Sequence, residues 1–272
     1  MTTKRSPLNL KYTLNIAWLY PELMSTYGDR GNITVLSKRC EWRGIKPTIM
    51  RINENTDASF IKSADIIFMG GAQDTQQEIV QKDLSGKKGE AIKILIESGT
   101  PGLFICGAYQ FLGNYYKDAY GTEIPGLGIF DIHTISIPDK PRLIGNIIVK
   151  PFQLSALNSP LARLASGGSQ LSNYLTGFEN HGGRTYLKDP DLAFGKVIKG
   201  SGNNGTDETE GIHYKSTIGT YMHGPVLPQN PEIADYLIEN ALVKKYGKEI
   251  KLNPLDDNFA TDAKKNILKR QK

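Results

Sequence analysis

GLFICGAYQFLGN (Gly102–Asn114) places a single cysteine between a short apolar run and a segment with helical character. The run Leu103–Ile105 is typical of a buried strand, and the residues from Tyr109 to Leu112 could continue as a helix. Cys106 then lies on the turn between them, at the edge of a sheet. This is the position of the nucleophile in a nucleophile elbow, although the residues are not Gly-x-Ser-x-Gly. The alternative is a buried core thiol, since free cysteine behaves mostly as a small hydrophobe.

Outside this turn, the first half of the chain alternates between strand-like and helix-like patterns. Runs rich in Ile, Phe, Leu or Met predict strands at Leu14–Tyr20, Pro47–Ile52, Ala64–Gly70 and Gly102–Ile105. Helical periodicity lies between them, at Asn32–Arg43 and Lys88–Ser98. Such alternation predicts an α/β fold with a mostly parallel sheet flanked by helices.

The second half of the chain has a different pattern of residues, which helps to set the predicted domain boundaries. From Gly126 onward the sequence is β-rich, with Gly and Pro between the strands, and an amphipathic helix is predicted near Pro231–Lys245. Ser166–Ser172 and Gly200–Gly211 are predicted to be mobile loops because of their Gly, Ser and Asn content. We predict a polar extension at residues 1–13, one α/β domain with additional β-rich elements at 14–246, and a polar basic tail at 247–272.

Three polar, glycine-containing loops follow strands of the predicted parallel sheet. They are STYGDRGN (Ser25–Asn32), MGGAQD (Met69–Asp74) and CGAYQ (Cys106–Gln110). Ligands of such sheets gather at the carboxyl ends of the strands, so the three loops predict one binding site.

Composition excludes several classes of function. The 272 residues carry a net charge of +5, but much of the excess lies at the two ends and no aromatic-interleaved basic motif accompanies it, which argues against nucleic-acid binding. Two cysteines predict neither a disulfide framework nor a metal site. No phosphate-binding Gly-x-x-x-x-Gly-Lys-Ser/Thr motif is present, so no ATP site is predicted. The absence of a signal peptide or a membrane-spanning run favours a soluble protein of a reducing compartment.

Chemistry at Cys106 would draw on the backbone around it. Amides at a helix N-terminus stabilise a thiolate, and the amide of Gly107 is open to an oxyanion. Gly71, at the end of another strand, could supply a second amide. Cys40 shares one helical face with Ile33 and Leu36, so it is predicted to be a packing residue.

Cysteine catalysis also needs a base, and the chain has four histidines. His133 and His213 lie in alternating β patterns and are predicted to be sheet residues. His181 lies in a polar, glycine-flanked turn, and His223 follows a strand and enters a Gly-Pro turn. Spacing alone leaves both as candidates.

GGAQD, ICGAYQFLG and YMHGPVLP, in this order, resemble the class I glutamine amidotransferases, and within them the cobyric acid synthase branch. YGDRGN, PRLIGN, GFENHGGRTY and EGIHYK resemble the GatD family, the glutaminase subunits of lipid II isoglutaminyl synthase. The resemblance covers residues from about 14 to 246 and implies a flavodoxin-like fold.

This resemblance implies a role for each matching residue. Cys106 would attack the side-chain amide of L-glutamine, with His223 as base and then as acid to the leaving ammonia. Arg142 matches the family arginine that contacts glutamine, and Gln110 matches the glutamine of the elbow. Oxyanion stabilisation would come from the amides of Gly71 and Gly107.

One position departs from the pattern of the class. The glutamate expected two residues after the catalytic histidine is replaced by Pro225, which cannot orient an imidazole. Either an acid elsewhere in the chain does so, with Glu179 as a candidate, or another polypeptide contributes it. In the GatD family an aspartate of the ligase partner has that role, which implies that the isolated chain hydrolyses glutamine poorly.

The resemblance also implies a partner. Amide synthesis requires an activated carboxylate, so ATP and Mg²⁺ are expected on a Mur-ligase-like subunit, MurT, in a heterodimer that amidates the D-glutamate of lipid II. The complex would work at the cytoplasmic face of the membrane. Two alternatives stay open: an amidotransferase subunit for another acceptor, of corrinoid type, and a non-catalytic regulatory subunit that keeps the fold.

Overall fold

The computed structural model of the protein describes residues 11–72, 74–152, 174–247 and 250–270, and within them thirteen strands form two sheets. The strands are β1 Tyr12–Leu19, β2 Ile45–Ile52, β3 Ile66–Met69, β4 Gly102–Ile105, β5 Tyr115–Lys117, β6 Glu123–Pro125, β7 Ile132–Ser136, β8 Leu143–Pro151, β9 Leu175–His181, β10 Gly183–Leu187, β11 Ala193–Lys199, β12 Thr209–Tyr214 and β13 Thr217–Thr220. The α-helices are α1 Arg30–Glu41, α2 Asp74–Asp83, α3 Gly89–Glu97, α4 Gly107–Phe111, α5 Val226–Gln229, α6 Pro231–Tyr246 and α7 Asn258–Lys269. Short 3₁₀ segments lie at Thr26–Gly28, Ala58–Ser63 and Pro190–Leu192, and a π-helical turn at Leu84–Lys88 joins α2 to α3.

The larger sheet has nine strands in the order β2-β1-β3-β4-β13-β12-β11-β8-β9. From β2 to β13 all pairs are parallel, and from β13 to β9 all pairs are antiparallel. The predicted α/β fold with additional β-rich elements in its second half is confirmed. The β-rich half extends the same sheet, and β10, β7, β5 and β6 form a second, four-stranded sheet.

Burial explains why β3 and β4 are continuous apolar runs. Every residue of β3, β4 and β13 is buried, as expected for parallel strands that are covered on both faces. On one side α6 packs against β1, β3 and α1. These strands therefore form a rigid base whose carboxyl ends carry the three predicted loops.

Predicted and observed elements agree best where periodicity is strong. Strand β4 has the predicted bounds, and β1, β2 and β3 differ from theirs by one or two residues at an end. The predicted helices correspond to α1, α3 and α6. None of the helices in the described part of the chain is both long and apolar enough to cross a bilayer.

The termini of the domain differ from the prediction. Tyr12 already belongs to β1, so the strand takes in the last residues of the predicted extension 1–13. At the other end, residues 250–270 are not a free tail, because α7 lies on α5 and Arg39 joins this segment to α6. The guanidinium of Arg39 is buried and donates to both Asp235 of α6 (2.7 Å) and Asp257 (2.6 Å).

The predicted mobile loops have different outcomes. Ser166–Ser172 lies outside the described residues. Residues 200–208 form a turn with buried asparagines, and residues 209–211 already belong to β12. Asn203 of the turn donates to the carbonyl oxygen of Gly211 at 3.1 Å and accepts from its amide at 2.9 Å. The polar side chains of this turn form hydrogen bonds in place of those between strands. An ordered turn of this kind and a mobile loop can have the same composition, so composition alone does not distinguish them.

Candidate active site

Cys106 lies on a strained turn between β4 and α4. Its backbone has φ 54° and ψ −111°, a conformation that non-glycine residues rarely adopt. The turn is fixed on both sides, since the amide of Cys106 donates to Thr220 O (2.8 Å) and its carbonyl accepts from Gln110 N (3.0 Å). The predicted elbow is confirmed. The thiol is largely buried, as the alternative expected, but it also lines a cavity.

His223 follows β13, the strand beside β4. Its backbone forms an antiparallel bridge with Phe178 of β9, in which His223 N donates to Phe178 O at 2.7 Å. A Cβ on Gly71 would lie 2.9 Å from Cε1 of His223 and 3.2 Å from Cβ of Cys106. Both side chains therefore flank Gly71, and no larger residue fits between them.

Asp29, from the loop after β1, is the acid that lies beside this histidine. Its Oδ1 is 3.6 Å from Nδ1 of His223, and its Oδ2 accepts the amide of Gly71 at 2.7 Å. The carboxylate is fully buried. This contact contradicts the prediction that the amide of Gly71 faces an oxyanion, because that amide already donates to Asp29.

Glu179, the acid considered in the sequence analysis, is held elsewhere. Its two carboxylate oxygens accept the amides of Ser201 (2.7 Å) and Gly202 (2.9 Å) at the start of the turn at residues 200–208. Glu179, the candidate acid within the chain, is therefore bound to this turn, and no ion pair joins it to His223 among the described residues. Within the part of the chain that the structure describes, the carboxylate at salt-bridge distance from His223 is that of Asp29.

The electrostatic surroundings of His223 favour its charged form. Burial alone would lower the pKa of the imidazole, but interactions with Asp29 and Cys106 outweigh it and raise the pKa to about 10. At neutral pH these interactions favour a protonated imidazole in the cavity that Cys106 also lines.

A cavity of about 470 Å³ opens in front of these groups. All three loops predicted to converge contribute to its wall, and the second sheet adds Tyr116 and Ser136. Its other lining residues are Thr26, Tyr27, Ala72, Gln77, Cys106, Gln110, Arg142, Asn180, His181, Gly182, Gly183 and His223. The predicted Arg142 and Gln110 therefore share one cavity with Cys106 and His223.

Arg142 is an exposed residue of the cavity wall, and a series of contacts through Asn180 and Tyr27 connects it to His223. It donates through Nε to Oδ1 of Asn180 (2.8 Å), and Asn180 in turn donates to the hydroxyl of Tyr27 (2.7 Å). The ring of Tyr27 meets that of His223 edge-on, with centroids 5.0 Å apart. Tyr27 thus covers the imidazole while its own backbone has a positive φ of 53°.

The remaining predicted residues have defined contacts. Gln110 is buried and donates to the hydroxyl of Tyr221 at 3.0 Å. Gly107 begins α4, and a Cβ there would come within 2.8 Å of the side chain of Gln77. Cys40 is buried in α1, and burial raises the pKa of its thiol to about 12, so the prediction of a packing residue is confirmed. Among the described residues, no group of three or more His, Cys, Asp and Glu is placed to hold a metal ion.

Residues 15–231 match the CobB/CobQ-like glutamine amidotransferase domain family. The chain belongs to this family. The match includes Asp29, Cys106, Arg142 and His223.

Two relatives of this amidotransferase domain share most of its length. It is 40% identical to the GatD subunit of lipid II isoglutaminyl synthase (glutamine-hydrolyzing) of Staphylococcus aureus, over 95% of this chain and 96% of that one. It is 39% identical to the corresponding subunit of Streptococcus pneumoniae, over 92% of this chain and 88% of that one. A probable cobyric acid synthase of Methanopyrus kandleri is 30% identical, over 60% of this chain but 31% of the synthase.

The fold of the amidotransferase domain also occurs in a solved structure. PurLQS from Thermotoga maritima aligns with a TM-score of 0.53 and 14% identity, over 86% of this chain and 99% of the matched chain. At this identity the alignment shows a common fold.

Sequence reasoning missed Asp29 and Tyr27. Both lie in STYGDRGN, one of the three loops predicted to converge, so the signal was an acid within a loop already assigned to the site. Nothing in the spacing of Asp29 and His223, which are far apart in the sequence, indicates that the two side chains meet.

Proposed function

We propose that this chain is the glutaminase subunit of a lipid II isoglutaminyl synthase, hydrolysing L-glutamine and delivering ammonia to a ligase subunit. The observation that carries the proposal is the line from Cys106 on its elbow through His223 to Asp29, facing a cavity with Arg142 in its wall. A nucleophile, a proton carrier and an orienting acid are the parts that hydrolysis of an amide through a thioester requires.

Cys106 performs the first step. Its sulfur, with its proton held on His223, bonds to the carboxamide carbon of glutamine and gives a tetrahedral oxyanion. His223 then passes that proton to the nitrogen, the C–N bond breaks, and ammonia leaves a glutamyl thioester. Water attacks the thioester with His223 accepting its proton, and the return of a proton to sulfur releases glutamate.

Asp29 acts through His223. Its buried carboxylate favours the imidazolium and fixes the orientation of the ring, which is the role of the acid in a Ser-His-Asp triad. We assign to this carboxylate, from the loop after β1, the role of the glutamate that Pro225 replaces.

The substrate's charged end and its oxyanion need different partners. The fork of Arg142, which donates to the side chain and the carbonyl oxygen of Asn180, suits the α-carboxylate. Gln110 lines the cavity beside Cys106 and supports the substrate's polar atoms. We assign the oxyanion to the amide of Gly107, with the amide of Ala72, the cavity residue after Gly71, as the second donor.

Ammonia forms an amide only with a carboxylate that has been activated. We assign ATP and Mg²⁺ to a Mur-ligase-like partner, MurT, which forms a heterodimer with this chain and amidates the α-carboxyl of D-glutamate in the lipid II stem peptide. The acceptor is a membrane lipid, so the complex works at the cytoplasmic face. The extent of the matches favours lipid II over a corrinoid as the acceptor. The chain covers nearly all of the GatD subunits but only 31% of a cobyric acid synthase.

The test is glutamine-dependent amidation of lipid II by the chain co-expressed with its Mur-ligase-like partner. We expect Cys106→Ala to abolish glutamate release and amidation from glutamine, while amidation from added ammonium salts persists. Cys40→Ala, which changes the other buried thiol, is the matched control and should retain activity. A regulatory subunit would behave differently: amidation from glutamine would survive Cys106→Ala.

A further inference from the structure

His181 is a buried polar side chain of the cavity wall to which the mechanism gives no role. It ends β9, is 1% exposed and lines the cavity that contains Cys106. Its ring stacks on Tyr221 with centroids 3.6 Å apart and planes 6° from parallel. The stacking fixes the plane of the imidazole within the wall.

One hydrogen bond determines the tautomer of this ring. Nδ1 of His181 lies 2.8 Å from the carbonyl oxygen of Gly183. A carbonyl oxygen only accepts, so Nδ1 carries the hydrogen, and Nε2 of the neutral ring presents a lone pair. Nε2 is buried and has no hydrogen-bond partner among the described residues. Buried acceptors are rarely left unpaired, so this atom points to a ligand.

The ring stays neutral under working conditions. Burial lowers the pKa of His181 to about 3, the bond to Gly183 opposes this, and the positive charges of Arg184, His223 and Arg142 add to the lowering. Nε2 is therefore an acceptor throughout the range in which enzymes of this kind work.

The surrounding charge selects the kind of donor. Arg184 is buried, donates to the carbonyl oxygens of Gly182 and Pro141, and has no carboxylate at ion-pair distance among the described residues. Arg142 lines the same cavity, and the positive charges of Arg184 and Arg142 both act on the ring of His181. A second cation, such as the α-ammonium of an amino acid, is disfavoured beside Nε2, and a neutral N–H is favoured.

We propose that Nε2 of His181 accepts a hydrogen bond from the carboxamide N–H of the bound substrate and so selects amides over esters. The inference rests on the proposed function and assigns the contact that recognises the group to be removed. An ester of the same shape offers no N–H and leaves the acceptor unpaired.

The test compares L-glutamine with the γ-methyl ester of L-glutamate as substrates of the complete complex with its ligase partner. In His181→Phe the ring can still stack on Tyr221 but the acceptor is lost. We expect kcat/KM for glutamine to fall about tenfold, as for one hydrogen bond, and kcat/KM for the ester to stay within about twofold of the wild type. His213→Phe, which changes a buried imidazole outside the cavity, should leave the ratio of the two substrates unchanged.

Several outcomes would overturn the inference. Equal losses on both substrates would assign the contact to the α-ammonium or to general packing, and wild-type kcat/KM values for both substrates would show that His181 makes no contact with the substrate. If the phenylalanine variant is recovered poorly, His181→Gln, which keeps an acceptor, is compared with His181→Met, which keeps none, and equal ratios in these two contradict the inference. A wild-type complex that releases glutamate from neither substrate contradicts the proposed function instead.

Discussion

Oδ1 of Asp29 lies 3.6 Å from Nδ1 of His223, and the two residues come from loops at opposite ends of the domain sequence. The same carboxylate holds the amide of Gly71. One buried carboxylate therefore both faces His223 and holds Gly71, where a Cβ would come within 3.2 Å of both His223 and Cys106.

Replacing Asp29 with asparagine should reduce turnover with little loss of fold. An amide cannot stabilise the imidazolium, so we expect kcat for glutamine hydrolysis to fall by roughly 10²- to 10⁴-fold. The pKa of His223, about 10 in the wild type, should fall as well, and the alkaline limb of the pH–rate profile should move to lower pH. Kinetics between pH 6 and 10.5 would measure both effects.

Glu179→Gln is the matched control for that experiment. Its carboxylate is bound by the amides of Ser201 and Gly202, so the variant should change stability and leave the alkaline limb in place. If Asp29→Asn retained wild-type kcat while the partner's acid proved essential, Asp29 would have no role in catalysis.

Arg142→Ala should act mainly on substrate affinity. The guanidinium meets the part of glutamine that does not react, so we expect KM to rise about 10- to 100-fold with a smaller change in kcat. Lys140→Ala removes an exposed positive charge two residues away and should leave KM nearly unchanged. Steady-state glutaminase kinetics decide this, and a fall in kcat at constant KM would contradict the assignment.

The pH dependence of stability should contain a contribution from His213. Burial lowers the pKa of this imidazole to about 4, so its contribution to stability is fully present above the unfolded value of 6.5 and is lost as the pH falls toward 4. In His213→Phe the fall in unfolding free energy below pH 6.5 should be shallower by up to about 1.4 kcal/mol per pH unit. Denaturant unfolding at a series of pH values measures the slopes, and equal slopes below pH 6.5 would contradict the expectation.

Asp235 should be important for folding. It accepts from the buried guanidinium of Arg39 and from Arg43, both at 2.7 Å. Asp235→Asn leaves the buried guanidinium of Arg39 with Asp257 alone and removes the carboxylate bound by Arg43, so we expect a loss of about 3–5 kcal/mol in unfolding free energy. Asp262→Asn breaks an exposed pair with Lys265 and should cost less than about 1 kcal/mol. Similar losses in the two variants would show that the cluster of Arg39 contributes no more than a surface pair.

The parallel half of the fold could be predicted because its strands are short apolar runs that are buried on both faces. Strand β4 and the turn at Cys106 followed directly from this. The antiparallel half could not be ordered, since β8 pairs with β9, which begins more than twenty residues after β8 ends, and such long-range pairing leaves no local signal.

The site was predictable to the level of its loops. Cys106, His223, Arg142 and Gln110 came from motif positions, and the structure places all four around one cavity. The contact of Asp29 with Gly71 could not be read from the sequence, because it depends on how the loop turns at Tyr27, whose positive φ is set by tertiary packing.

Cys106 and the strand that leads to His223 are joined by main-chain bonds, with the amide of Cys106 held by Thr220 at the border between the parallel and antiparallel halves of the sheet. The backbone positions of the two residues are thus tied to one sheet, and the loops that bear Asp29 and Gly71 complete the spacing of sulfur and imidazole. A covalent inhibitor directed at the sulfur would meet a nucleophile whose backbone is held by the sheet itself, so its reactive group could be designed against a fixed point and its selectivity against the surrounding loops.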